Sequence, residues 1–466
     1  MTDEKKGKDG LIIAVVMLAT LMTTLDVSLV NISLPAIIKV WGITTSMAMW
    51  VLLAYALSFS SFLLLFGKLG ERLGFKRVFS LGFIVFMAGT LLSALSADIN
   101  MLIVIRFFQG MGAAMMASLA FASITRYVSP GKRGKGLGMV AAAGSLGAVI
   151  GPLLGGWITG SYGFHAIFLV NIPIGVVALL LALRCIPSDR VPAKASFDVM
   201  GALSIFLGLF SLIFALNMGQ QLGWASPTIL VCLVGAVVFI PTFILWEMRK
   251  AKDPLLDMRL CRQRNVILPA LSSMTIMASF SGLFVIMPFY FEFIRGMSSA
   301  ASGQMLLFAT LTMVLAGLVA GTLADRMSVR TLAIATMLVS GVAFFLMATI
   351  SASTDLLVIG AMLLLLGLGT GLFYPPSNKM IMASSPRDLM GEASGLLRTL
   401  QQVGSAVGVA IFTTILTSYV EVSRSAAGFM EGMAMCMIAG GVMVIVGLVL
   451  LLLTKRIAST PVVEKA

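Results

Sequence analysis

GKLGERLGFKR, residues 67–77, and GTLADRMSVR, residues 321–330, decide how this chain is organised. Both place Gly, Leu, a small residue, an acid and Arg in the same order, and both end in a basic residue. Each follows a long apolar run. Working outward, such runs occur at 11–33, 47–66, 78–97, 100–123, 136–160, 165–183, 199–218, 227–246, 266–290, 302–324, 331–351, 356–378, 393–417 and 432–454. Most have about 20 residues, enough to cross roughly 30 Å of hydrocarbon at about 1.5 Å per helical residue. The first copy follows run two and the second follows run ten. Two six-helix halves alone would put the second copy after run eight. The runs 199–218 and 227–246 therefore lie between the halves as an inserted pair. The expected fold is an all-α polytopic membrane protein with fourteen spans. It has an N-terminal six-helix bundle over 1–183, a linker with two additional helices over 184–264 and a C-terminal six-helix bundle over 265–466. Internal repeats of this kind build many secondary transporters, with a substrate site near mid-membrane between the repeats.

Composition points to the same solvent. Apolar residues make up 59% of the 466 and charged residues only 11%, against about 25% charged in a soluble domain. The net charge of +13 could suggest nucleic acid, but the placement of the charges argues against it. Of the 32 Lys and Arg, 27 fall in the segments that alternate on one side, starting with the N-terminus. The other side holds 3 (Lys39, Arg295 and Arg424), and 2 (Arg106 and Arg398) lie within runs. That bias places both termini in the cytoplasm. Attraction to anionic lipid headgroups is a secondary consequence. The charged opening MTDEKKGKDG precedes a run too long for a signal-peptide core, so an uncleaved first helix is expected. Cys185, Cys232, Cys261 and Cys436 have neither CxxC spacing nor paired histidines, and His165 is the only histidine, so no metal site or disulfide framework is expected. No GxxxxGK[ST] loop is present, which argues against direct ATP drive.

Four features carry chemistry. Asp26, in LMTTLDVSLVNISLP, is the one acid deep in a run. A charge there costs about 2.5–3.5 kcal/mol on insertion scales, so it must face the bundle interior or take up a proton. Binding the coupling proton is its expected role. Arg106 opens IRFFQGMGAA at a depth within one helical turn of Asp26 and is its natural partner. In GSLGAVIGPLLGG (144–156), Gly144, Gly147, Gly151 and Gly155 recur every three or four residues beside Pro152 and Gly156. A smooth stripe of this kind admits close helix approach and the proline permits a bend. Two readings stay open: ordinary small-residue helix packing, or a flexible contact between the two halves that controls leak and direction. In the loop signature, Gly67, Gly70 and Gly74 allow a tight reversal, Lys68, Arg72, Lys76 and Arg77 anchor the basic face, and Glu71 is the member a plain topology signal does not require. Asn31, Gln109, Phe280, Phe284, Met287, Tyr290 and Arg398 are candidates to line a substrate cavity.

Together these stretches resemble the major facilitator superfamily, and most of all its fourteen-span drug:proton antiporter branch. LDVSLVNISLP resembles the first-helix motif of that branch, and RFFQGMGAA and GSLGAVIGPLLGG resemble its fourth- and fifth-helix motifs. GKLGERLGFKR has Glu71 where the family usually has Asp and Gly70 where it usually has Ala. ASGLLRTLQQVGSAVG (393–408) has Arg398 where Asn is usual and Gln401 where Arg is usual. The resemblance implies proton-coupled export of hydrophobic or amphipathic small molecules by alternating access. The proton gradient would be the energy source, with no cofactor. Asp26 and Arg106 would act in coupling, and Glu71 and Arg72 in a gate that closes in the outward-open state. It further implies a monomer in the cytoplasmic membrane of a prokaryote. The departures do not suit a simple pump for cations, because span ten lacks an acid until Asp325 and Arg398 adds positive charge. A dedicated exporter of one lipid, metabolite or peptide-like compound is the alternative. A membrane enzyme would need a clustered acid/base or metal constellation, and the sequence shows none.

Overall fold

The computed structural model describes residues 2–43, 45–187, 198–249, 254–297, 299–423 and 425–455. Among them are fourteen helices long and apolar enough to cross a bilayer. In chain order these are α1 (Thr2–Trp41), α2 (Thr45–Leu73), α3 (Phe75–Ala94), α4 (Ile99–Tyr127), α5 (Arg133–Tyr162), α6 (Asn171–Cys185, which with the short helix Ala166–Leu169 before it makes the sixth span) and α7 (Val199–Leu222). They continue with α8 (Pro227–Arg249), α9 (Arg264–Phe289), α10 (Ser299–Arg326), α11 (Val329–Met347), α12 (Leu356–Ser384), α13 (Met390–Ser423) and α14 (Ala426–Leu452). Hydrocarbon offers no water to unpaired backbone groups, so helices that satisfy their own N–H and C=O groups are the available solution. Several helices overrun their apolar runs. α1 and α2 extend through charged residues, because apolar length reports only the hydrocarbon thickness while the hydrogen-bond ladder continues beyond it. Short polar side chains fix the starts. Asp98 accepts from the Met101 N–H at 2.9 Å, and Asp355 accepts from the Leu357 N–H at 2.8 Å. At Gly74 the backbone takes φ of 96° to turn α2 into α3, a conformation that a Cβ disfavours.

The duplication read from the loop signature recurs in the packing. In the first half α1 lies along α5 and α6, α2 along α4, and α3 along α4 and α6. In the second half α9 lies along α13 and α14, α10 along α12, and α11 along α12 and α14. Every pairing repeats with an offset of eight helices, as an insertion of two requires. The halves meet where α2 crosses α13 and α5 crosses α10. The inserted pair sits at the edge of this seam, with α7 against both α2 and α13, held in part by Leu53 and Leu57 of α2 packing on Ile213 and Ile229. α8 is peripheral, and its Val231, Val234 and Val237 are more than 60% exposed. An aqueous protein would bury such residues; a bilayer solvates them.

The cores differ between the two faces of the molecule. Towards the face that carries the basic loops, residues of α1–α5, the segment Leu255–Leu260 and the ends of α12 and α13 form one continuous cluster. Towards the opposite face the first half has its own cluster around Leu29, Ile37 and Phe168, separate from that of the second half around Tyr290 and Phe344. The halves are thus fused at the basic face and apart at the other.

Candidate functional site

Five helices of the first half converge on Asp26. Arg106 of α4 donates from Nη1 to Asp26 Oδ2 at 2.5 Å and to Gln109 Oε1 at 2.7 Å. Gln109, one turn along, donates from Nε2 to Asp26 Oδ1 and to Thr90 Oγ1 of α3, both at 2.9 Å. Asn171, at the start of α6, adds a longer bond of 3.4 Å to Asp26 Oδ1. From α2, the Val51 carbonyl accepts from Arg106 Nε at 3.3 Å, and the Tyr55 ring lies under the guanidinium with its centroid 4.3 Å away. Asp26 is 1% exposed and Arg106 and Gln109 are 0% exposed. Two charges taken out of water hold each other only if their remaining donors and acceptors are satisfied. Here they nearly are. Arg106 Nη2, Asn171 Oδ1 and the Tyr55 hydroxyl have no hydrogen-bond partner. The pairing of Asp26 with Arg106 follows from matched depth. The roles of Thr90, Tyr55 and Asn171 were not legible in the sequence, because polar residues near span ends are common.

A cavity of about 480 Å³ lies between the halves, on the far side of their fused contacts from the basic face. Thr23, Val27 and Asn31 of α1, Tyr55 and Phe59 of α2, and Arg398 and Gln402 of α13 line it. A second cavity of about 230 Å³ adjoins it and shares Thr20, Thr24, Met277 and Arg398; Phe280 and Tyr374 also face it. Asp26 lines neither cavity, and the Tyr55 ring stands between Arg106 and the larger one. Four cavity expectations need correction. Gln109 is sealed inside the Asp26 cluster. Met287 and Tyr290 are fully buried in the core of the second half, with the Tyr290 hydroxyl donating to the Ser351 carbonyl at 2.9 Å. Phe284 stacks on Phe280 with centroids 4.5 Å apart and packs against that same core. The apolar stripe on α9 could equally face core, cavity or lipid, since periodicity marks a face and not its neighbour.

The loop signature closes the basic face. Glu71 Oε1 accepts from the N–H groups of Gly391 at 2.7 Å and Glu392 at 3.1 Å. It therefore caps the first turn of α13, where unpaired N–H groups and the positive end of the helix dipole favour a carboxylate. Glu392 in turn accepts from Lys68 Nζ at 2.5 Å and, through its other oxygen, from the Asp257 N–H at 2.6 Å. Lys68 and Glu392 are nearly buried, so this pair is screened less than one at a surface. Asp257 belongs to the segment between the inserted pair and the second half. Burial draws its carboxyl upward, but hydrogen bonds from the Arg259 side chain and backbone hold it below the usual aspartate value. Glu392 and Asp257 were missed in the sequence; an acid just before a span, opposite a basic loop, was the available signal. Gly70 packs on the Leu119 side chain, while Lys76 is half-buried and Arg77 exposed at the same face. The side chain of Asp325, the acid of the second copy, lies outside the described residues.

The glycines of the signature explain the repeat. A Cβ on Gly67 would stand 2.7 Å from the Gly391 carbonyl oxygen, and one on Gly321 would stand 2.7 Å from that of Gly134. These are equivalent positions in the two copies, at the two crossings of the halves.

The stripe in α5 is a different matter. Of its two readings, a contact between the halves is not what the structure shows: the stripe packs within the first half. Gly144 faces Thr20, Gly147 faces the backbone of Leu21 and Leu25, Gly151 faces Ser28, and Gly155 faces Leu29 and Ile32, all of α1. Gly156 faces open space, and the side chain of Pro152 lies outside the described residues. α5 reaches the other half lower down, through Gly134 and Gly138. This predicts opposite outcomes for two neighbouring changes. A Cβ at Gly147 would sit 2.9 Å from backbone atoms that cannot yield, so Gly147→Ala should lose about 1–3 kcal/mol by overpacking. Gly156→Ala should lose nothing. Melting temperatures of the two purified variants check this.

A duplicated fourteen-helix bundle around a central cavity, closed at one face by contacts between its halves, defines a membrane transporter. Residues 16–198 and 198–409 match the model of the Major Facilitator Superfamily, and the chain belongs to that superfamily. It is similar to the methylenomycin A resistance protein of Bacillus subtilis, 33% identical over 89% of each chain. It is 29% identical, over 87% of each chain, to the riboflavin transporter RibZ of Clostridioides difficile. The solved structure of the human organic anion transporter MFSD10 (TETRAN) shares the fold, with a TM-score of 0.70 at 19% identity over 95% of this chain and 99% of that one. With other relatives named as multidrug transporters, these matches make the chain a secondary transporter of the drug-exporter type and not an enzyme.

Proposed function

We propose that this protein exports hydrophobic or amphipathic small molecules in exchange for protons by alternating access, with Asp26 as the proton carrier. The observation that carries this reading is the buried Asp26–Arg106 pair, closed off from the cavity yet touching its wall through Tyr55. Protonating Asp26 removes the charge that holds Arg106. The freed guanidinium must then find other acceptors, and any such move shifts Tyr55 and with it the cavity. The basic face is the cytoplasmic one in this reading, so the fused seam is the closed inner gate and the cavity is the outward-facing site. One chain carries both halves and the cavity between them, which makes the monomer the transporting unit. Both termini lie on the cytoplasmic side of a prokaryotic inner membrane, and the basic loops lie at the level of its anionic headgroups.

The test is transport by purified protein in liposomes, across cationic, neutral and anionic amphipaths, with the pH gradient set in either direction. Exchange requires that an acid interior drive uptake and that an alkaline interior oppose it. Uptake indifferent to the gradient, or strengthened by an alkaline interior, sinks the antiport reading.

A further inference from the structure

Arg398 is the one charged residue that lines either cavity, and it lines both. Its surroundings are unusual for a cation at this depth. Among the described residues no carboxylate lines either cavity with it. Asp26, deep in α1, has both oxygens taken by Arg106, Gln109 and Asn171. The guanidinium of Arg398 lies over the Phe121 ring, 4.3 Å from its centroid. Nη2 has no bond and is the donor left available to the cavity. Only Nη1 has a bond, a long one of 3.4 Å to Gln401 Oε1, and the buried Nε has no partner. A guanidinium stays charged under all ordinary conditions and matches the two-oxygen geometry of carboxylate, sulfonate or phosphate. Around it the walls are apolar and aromatic, with Phe59, Met277 and Phe280 among them.

We propose that the substrate is an amphipathic anion, with a flat apolar body bearing one carboxylate, sulfonate or phosphate that docks on Arg398. This rests on the export reading above and narrows it. The cavity supplies what such a molecule needs in one place: an unneutralised guanidinium with free donors, and aromatic and thioether surface for the body. A permanently cationic compound meets repulsion at the same point and no acid to offset it.

The test uses three compounds with one ring system: 2-naphthalenesulfonate, 2-naphthalenesulfonamide and trimethyl(2-naphthyl)ammonium. Saturable binding is measured to the full chain in lipid nanodiscs, corrected with empty discs. The sulfonate should bind at least about tenfold tighter than the ammonium, the scale expected of charge-assisted hydrogen bonds. Arg398→Gln should weaken the sulfonate about tenfold and leave the sulfonamide within about twofold, while Arg398→Lys, which keeps the charge but not the fork, should retain part of the preference. Equal binding of sulfonate and ammonium by the unaltered chain overturns the proposal. So does an equal loss for all three compounds in Arg398→Gln, or an absence of saturable sulfonate binding. Binding needs no pH gradient. Intact sulfonate binding with gradient-indifferent transport therefore counts against proton exchange alone, and the reverse pattern counts against the anion site alone.

Discussion

Asp26→Asn is expected to reduce uptake driven by an acid interior to the level of protein-free liposomes. The amide is nearly isosteric and can still accept from Arg106, but it takes up no proton, so the step that couples the gradient to the cavity is lost. Asp26 lines neither cavity, so the loss reads on coupling and not on a direct substrate contact. Arg106 would be left fully buried without a counter-charge, a change that costs about 3–5 kcal/mol when a buried pair is broken. The variant should therefore melt lower as well, and Asp26→Glu, which restores the charge, should recover part of the stability. Gradient-driven uptake by Asp26→Asn at the unaltered rate would show that the proton rides elsewhere.

The second large effect belongs to the seam. Gly67→Val should remove most transport by disfavouring the state in which the basic face is closed. The new side chain meets the Gly391 carbonyl oxygen, a backbone atom at the crossing of α2 and α13. That crossing exists only while the halves are together at this face, so the strain falls on one conformation and spares the other. Each 1.4 kcal/mol of such strain shifts the population about tenfold. Gly321→Val, at the equivalent crossing with α5, should act in the same direction, and the double variant should be held almost wholly open at the basic face. Spin-label distances across the two faces measure the populations directly. If Gly67→Val transports at the unaltered rate with unchanged distances, the glycine crossing does not control the gate. Retained substrate binding separates this effect from simple misfolding.

Much of the architecture was readable from the chain because a bilayer imposes one-dimensional rules. Apolar length counted the spans, and the spacing of a repeated signature pointed to an inserted pair. Matched depth was also enough to pair Asp26 with Arg106, since two buried opposite charges in one half-bundle have few other choices. Sequence reasoning failed where it had to name a neighbour. The glycines of 144–155 have the right spacing for close approach, but the spacing is silent on whether the approaching helix is α1 or one from the other half. Met287 and Tyr290 share the apolar periodicity of Phe280, yet they point into a core and Phe280 faces a cavity.

What the sequence determined by itself is thus the set of elements, their order across the membrane and the residues too costly to leave unpartnered. Each follows from the transfer energy of single residues or runs, a local quantity. Only the tertiary structure decided that Glu71 caps α13 and that Glu392 joins Lys68 to the segment at Asp257. It alone showed that Gly67 and Gly321 mark the two crossings of the halves, and that Arg398 stands in the cavities with no acid before it among the described residues. Those facts depend on which helix faces come to lie opposite each other. Packing sets that arrangement over the whole bundle, and no single stretch of the chain encodes it.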